Sequence, residues 1–288
     1  MSSMKGALCY GLKRVFRYLV PLSLRMKMAI WLDRQWWLAS RDYLAKGLVR
    51  DLLKENPKEF HKFIWLHHLS GYAQWYDRET VLFDSEQMQP SRKKFFEDLT
   101  LTIQMFEMSP SDISSVLEVG CSQGYLLRYL EDKVFTHGPD IVGVDIDAGA
   151  IAKGKAYLES VGSNVKLMQG DMEDLAGILN GQAVDFAFAA GVLSYLNEKD
   201  ALAVMRTMMK HTNVLIAFVG LACSDRHNNK LKQSILSPDH EEQWIHNFDA
   251  MIPLSGGTVV KSCWDEGRYY RVFAVPTQRS CEAVSCSP

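Results

Sequence analysis

Four segments carry the residues best suited to chemistry, and each sits where an apolar run gives way to acidic or small residues. The first is Val116-Leu117-Glu118-Val119-Gly120-Cys121-Ser122-Gln123-Gly124-Tyr125, an apolar run, an acid and a small-residue turn opening onto Tyr125-Leu126-Leu127-Arg128-Tyr129-Leu130. Such a turn lets backbone amides at a helix N-terminus approach a ligand closely and bind its anionic group. The second, Ile141-Val142-Gly143-Val144-Asp145-Ile146-Asp147, puts a carboxylate 25 residues beyond Gly120. An acid at that distance accepts both ribose hydroxyls of a nucleoside. The third, Leu167-Met168-Gln169-Gly170-Asp171-Met172, offers a carboxylate to an exocyclic adenine amine, and Asp171 reads equally well as a helix N-cap. The fourth runs from Val184 through Ala190-Gly191 into Val192-Leu193-Ser194-Tyr195, a small-residue loop.

These segments need a frame that brings their ends together. After Pro110 short apolar runs alternate with helical stretches, which is the grammar of a parallel sheet with crossover helices. Strands are expected near 115–119, 141–145, 164–168, 184–189 and 213–219, with helices between them. A helix near 240–250 then precedes two more strands, near 257–263 and 269–275, joined through Asp265-Glu266-Gly267 as a hairpin. Upstream, from residue 6 to about 108, apolar residues recur at helical spacing. Helices are expected up to Pro21, which ends or kinks the first one, then over 24–38, 41–55, 58–76 and 91–107, the last capped by Ser91. The expected architecture is α/β, a doubly wound seven-stranded mostly parallel sheet over 109–276, with an α-helical N-terminal extension over 1–108 and a tail over 277–288.

In order and spacing, the four segments resemble the class I S-adenosylmethionine-dependent methyltransferase superfamily, small-molecule type, bacterial, with a helical N-terminal extension. The resemblance implies S-adenosyl-L-methionine as cofactor. Glu118, Gly120, Ser122 and Gly124 then form the loop under its methionine moiety, and Asp145 holds the ribose. Ile146 packs on adenine, Asp171 binds the adenine amine, Met172 lends its backbone amide and Ala190 lines the fourth strand end. Tyr72 or Tyr76, on a helix preceding the sheet, reaches the cofactor's carboxylate, although the aromatic face there also reads as core. Ser122 departs from the pattern, standing where a second glycine is usual. A dinucleotide dehydrogenase fits less well, because the third glycine of Gly-x-Gly-x-x-Gly is replaced by Tyr125.

The loop after the fourth strand lacks the Pro-Pro-aromatic and Pro-Cys motifs that similar enzymes direct at nucleobases, so the resemblance implies methyl transfer, chiefly to oxygen, of a small molecule or sugar. Tyr195 lies close to the implied methyl position. His227, His240 and His246 are base candidates, since imidazole titrates near neutrality and residues after the fifth strand border the crevice. Each also reads as a surface or capping residue. Trp65, Trp75 and Trp244 suit a flat acceptor. His61, His67 and His68 lack carboxylates at metal-ligand spacing, and no metal is expected.

Composition narrows the remaining classes. The chain has 288 residues, 47% hydrophobic and 23% charged, with net charge −2, as ordinary globular proteins do. Within residues 1–41, however, eight basic side chains face one acid, Asp33, leaving −9 for the rest. Leu8, Leu12, Val15, Phe16 and Leu19 share one helical face, opposite Lys13, Arg14 and Arg17. The expected partners are thus a small-molecule or glycan acceptor, no nucleic acid, and a peripheral membrane contact through this basic helix. The six cysteines form neither CxxC pairs nor zinc spacings, and no uncharged run approaches the roughly 20 residues that span a bilayer. A cytoplasmic location, peripheral to the inner face of the membrane, is expected. An RNA-modifying methyltransferase and a non-catalytic S-adenosylmethionine-binding regulator stand as alternatives.

Overall fold

Side-chain alternation along the strands builds a sheet buried on both faces. In the computed structural model, which describes residues 19–35, 37–38, 41–67, 69, 88–239, 243–265 and 269–277, seven strands form one sheet. They are β1 (Ser115–Val119), β2 (Asp140–Asp145), β3 (Lys166–Gln169), β4 (Val184–Ala190), β5 (Thr212–Leu221), β6 (Gly257–Asp265) and β7 (Tyr269–Pro276), ordered β3-β2-β1-β4-β5-β7-β6. β1 to β5 are parallel, and β7 lies antiparallel between β5 and β6. This is the expected doubly wound α/β sheet.

Period-two alternation decides what each face meets. Leu117, Val119, Ala187, Ala189, Ile216, Phe218, Tyr270 and Val272 join one core with Met205, Met208 and Phe248. The intervening residues Phe186, Phe188 and Phe273 point the other way, where Phe95 packs 5.7 Å from Phe188 and 5.8 Å from Phe273. Glu118 shares the parity of this second face.

The helices around the sheet are α4 (Pro90–Gln104), α5 (Tyr125–Tyr129, continued by a π turn over Leu130–Val134), α6 (Ala148–Ser160), α7 (Leu175–Leu179), α8 (Glu198–Lys210) and α9 (Phe248–Leu254), preceded in the chain by α1 to α3. In α8, Asn197 caps the N-terminus by accepting from Asp200 N–H, and Ala201, Val204, Met205, Met208 and Met209 form the buried stripe. Each such side chain contributes about 1.5–3 kcal/mol by leaving water. On the opposite face Asp98 of α4 receives Lys261 Nζ at 2.9 Å and faces Arg271 Nη2 at 3.2 Å, tying α4 to β6 and β7.

By backbone proximity the chain divides into Met1–Arg78 and Glu79–Pro288. The first unit contains α1 (Leu22–Asp33), α2 (Arg41–Glu55) and α3 (Pro57–Leu66), packed around Ala29, Val49, Phe60, Phe63 and Ile64. Its buried Arg25 joins Asp51 at 2.6 Å and the Leu48 carbonyl at 2.7 Å. No helix among the described residues is long and apolar enough to cross a membrane.

Several boundaries correct the expectations. The last helix of the N-terminal series has Gln89, not Ser91, at its N-cap position and no side-chain cap bond, because Pro90 occupies the first helical position, where its missing N–H costs nothing. The first described helix stops at Asp33 rather than 38. Over 240–250 the expected helix is replaced by Trp244–Ile245, which pairs with Ile235–Leu236 as a two-stranded ribbon, and helix begins only at Phe248 behind its cap Asn247. The basic helix before Pro21, Tyr72, Trp75, Tyr76, His68, His240 and the turn Glu266-Gly267 lie outside the described residues.

Candidate functional site

The reversal of strand order between β1 and β4 leaves a crevice beyond their carboxyl ends, and the motif residues gather there. Leaving β1, the chain turns through Gly120 and Gly124 with φ of +78° and +80°, a region open to glycine. Space is equally decisive at Gly120: a Cβ there would lie 2.5 Å from Val192 Cβ, so the loop rests directly on the turn that follows β4. At Gly124 a Cβ would meet Leu167 at 2.8 Å. Ser122, standing where a second glycine is usual, has φ of +50°, which explains the preference for glycine at that point.

Asp145, at the end of β2, binds this loop. Its Oδ2 accepts a 2.7 Å hydrogen bond from Ser122 N–H and its Oδ1 a 2.9 Å bond from Asp147 N–H. Burial raises the carboxyl to about pH 6, against the pull of these amides. The Asp145 carbonyl accepts from Gly170 N–H at 2.9 Å, bringing the third segment alongside the second. Asp171 caps the 3-10 turn Met172–Asp174, accepting from Glu173 N–H at 3.0 Å, as its N-cap reading expects. Ile146, Met172 and Ala190 are each partly exposed.

Glu118 is 2% exposed, and its Oε2 has no hydrogen-bond partner among the described residues. Burial, then repulsion from Asp145, pushes its carboxyl well above the ordinary range, and Arg92 pulls the other way. That guanidinium stacks 4.5 Å above the Tyr125 ring, so the residue replacing a dehydrogenase glycine closes the loop from the α4 side. An orphaned buried acid beside a second acid suits a cationic ligand, and the glycine cradle leaves backbone room for it. Both features fit the sulfonium and ammonium of S-adenosylmethionine.

Across the crevice, Gly191 (φ +85°) turns the chain out of β4, donating its N–H to the Val219 carbonyl at 2.8 Å. Tyr195 ends this turn, partly exposed, its hydroxyl accepting from Gln243 Nε2 at 3.4 Å. His246 corrects its reading as a base. It is 2% exposed, with Nε2 2.9 Å from the Leu193 carbonyl and Nδ1 2.7 Å from Ser234 Oγ. A carbonyl only accepts, so Nε2 donates, and the neutral ring takes the Ser234 hydroxyl at Nδ1. Burial holds the imidazole below its ordinary pKa despite the Leu193 bond. With both nitrogens committed, His246 is a positioning residue that pins the 191–195 turn.

Two buried asparagines escaped the sequence reading because nothing in their types distinguishes a surface loop from a pinned one. Asn228, fully buried, accepts from Cys223 N–H and donates to the Leu221 and His246 carbonyls. Asn247 donates to the Asn229 and Leu231 carbonyls while capping α9. His61 is buried and His67 lies at the end of α3, and no cluster of three metal-ligating side chains occurs among the described residues.

Residues 116–213 match a family model described as a methyltransferase domain. The fold is shared with a crystal structure of a protein from Pyrococcus horikoshii OT3, at 18% identity and TM-score 0.53, covering 72% of this chain and 100% of that one. It is shared likewise with an S-adenosylmethionine-dependent methyltransferase from Clostridium acetobutylicum ATCC 824, at 10% identity and TM-score 0.50, covering 70% and 98%. No curated protein sequence matches the chain. The stretch from β1 into the start of β5 thus matches a methyltransferase domain, and the sheet around it has the fold of the two solved proteins.

Proposed function

We propose that this enzyme methylates a small molecule or sugar, chiefly on oxygen, using the crevice between β1 and β4. The observation that carries the reading is the junction of Ser122, Asp145, Gly170 and Gly120 with the 191–195 turn, because it collects four separate segments at one point. S-adenosylmethionine supplies an electrophilic methyl on a sulfonium. Gly120, Ser122 and Gly124 provide close backbone contact to its methionine end, and Glu118 offsets positive charge from beneath. Asp145 accepts the ribose hydroxyls, Ile146 covers the adenine, Asp171 and the Met172 amide hold the adenine edge, and Ala190 borders the methyl. Tyr72, Tyr76 and the base candidate His240 belong to the same reading, outside the described residues.

The transfer is an in-line displacement, so alignment of acceptor and donor supplies most of the acceleration. Tyr195 stands at the acceptor side of the turn, held in place by His246 through Leu193. The absence of nucleobase-type motifs after β4 favours this acceptor class over RNA. A screen of hydroxylated metabolites and sugars, read as release of S-adenosylhomocysteine, tests it. Turnover with such acceptors and none with tRNA or rRNA is expected; turnover confined to RNA overturns it, and cofactor binding without turnover across the panel favours a regulator.

A further inference from the structure

A cavity of about 380 Å³ opens at the carboxyl end of β5, outside the cofactor loop. That is within the size of small-molecule sites. Its lining holds two chemistries. Leu231, Ile235, Pro238 and Ile245 are apolar, while Asp225, His227 and Lys230 bring charged and polar groups.

The frame of this cavity is rigid although its rim is exposed. Asn228 and Asn247 spend buried amides on holding the backbone at Leu221, Cys223, Asn229 and Leu231. Buried polar groups fully committed to a loop fix its shape. One step along the chain links the cavity wall to the turn beside the cofactor loop. Ile245 lines the cavity, and the next residue, His246, donates to Leu193 in the turn that rests on Gly120.

The charges select the occupant. Neither the Lys230 ammonium nor the His227 ring has a hydrogen-bond or ion-pair partner among the described residues, whereas Asp225 Oδ1 accepts from His227 N–H at 3.2 Å. A lysine and an imidazole without partners among the described residues suit a single negative charge, and Asp225 in the same lining opposes a dianion such as phosphate. We propose that this cavity is the acceptor pocket and takes a small molecule with an apolar body and one carboxylate, anchored at Lys230. The assignment as acceptor pocket rests on the methyl-transfer reading above; the preference for a carboxylate does not.

The two are separated by titrating the full chain with benzoate, 3-phenylpropionate and hexanoate, each against its neutral amide, by ligand-observed NMR, with and without S-adenosylhomocysteine. At least one acid is expected to bind roughly fivefold or more tightly than its amide, with the preference lost in Lys230→Met and reduced in His227→Ala. Lys230 is exposed and has no side-chain partner among the described residues, so that variant is expected to keep its fold, which unchanged S-adenosylhomocysteine affinity verifies. No acid preferred over its amide, or a preference that survives Lys230→Met, overturns the proposal. Carboxylate binding to a chain that fails to bind S-adenosylhomocysteine would leave the pocket standing and remove its role in methyl transfer.

Discussion

Asp145 Oδ2 accepts the Ser122 amide proton at 2.7 Å, so the carboxylate of one motif fixes the backbone of another. Only the ionised acid offers its full acceptor capacity to two amides and a ribose. With burial raising the carboxyl to about pH 6, S-adenosylhomocysteine affinity should be flat above neutrality and fall below that pH by up to about tenfold per unit. Calorimetric titration from pH 5 to 8 checks this.

Stability should run the other way. A folded-state pKa above the ordinary 3.8 means that the native chain binds the extra proton. The stabilising contribution is full below about 3.8 and is lost as pH rises through about 6. Relative to Asp145→Asn, the wild type should lose up to about 2–3 kcal/mol between pH 4 and 7. Urea unfolding of both proteins across that range measures it.

Gly120→Ala forces a side chain into the left-handed region and against Val192. A loss of about 2–4 kcal/mol is expected from strain and overpacking together. Adding Val192→Gly, which removes the clashing Cβ as well as the methyls, should relieve the overpacking and leave the backbone strain, so the double variant recovers part of the melting temperature and not all of it.

Ser122 already occupies the conformation that glycine prefers. Ser122→Gly trades steric relief against chain entropy and should stay within about 1 kcal/mol of wild type with cofactor affinity retained. Ser122→Val, β-branched at the same φ, should cost about 2 kcal/mol or more and weaken binding. Melting curves and calorimetry on the pair decide between the two effects.

Asp98→Ala would strip the closest carboxylate from Arg271, which is 3% exposed and whose other ion-pair partner among the described residues is Asp265, at 3.5 Å. Breaking a buried pair from one side costs about 3–5 kcal/mol. Asp98→Asn, keeping an acceptor for Lys261, should lose clearly less in the same chemical denaturation.

The sheet was legible because period-two runs, turn residues and their spacing act locally. All seven strands fall within about two residues of their expected positions, which puts Gly120 and Asp145 at the ends of β1 and β2 as their spacing predicts. Long-range bonds were not legible. Nothing in the spacing of His246 shows that both ring nitrogens are spent on Ser234 and Leu193, so it passed for a base. Trp244 and Ile245 sit in a polar stretch resembling a helix start, and pairing with Ile235 and Leu236, a tertiary contact, made them strand. Ser91 lost its cap role to the proline beside it.

Asp145 and the Gly120 loop, joined by the Ser122 amide, are the proposed cofactor site. Isothermal titration of S-adenosylhomocysteine into wild type and Asp145→Ala, each verified as folded by circular dichroism, tests it most directly. Two ribose hydroxyl bonds to a charged acceptor account for about 3–6 kcal/mol, a weakening of a hundredfold or more. Equal affinity in the two proteins would contradict the account.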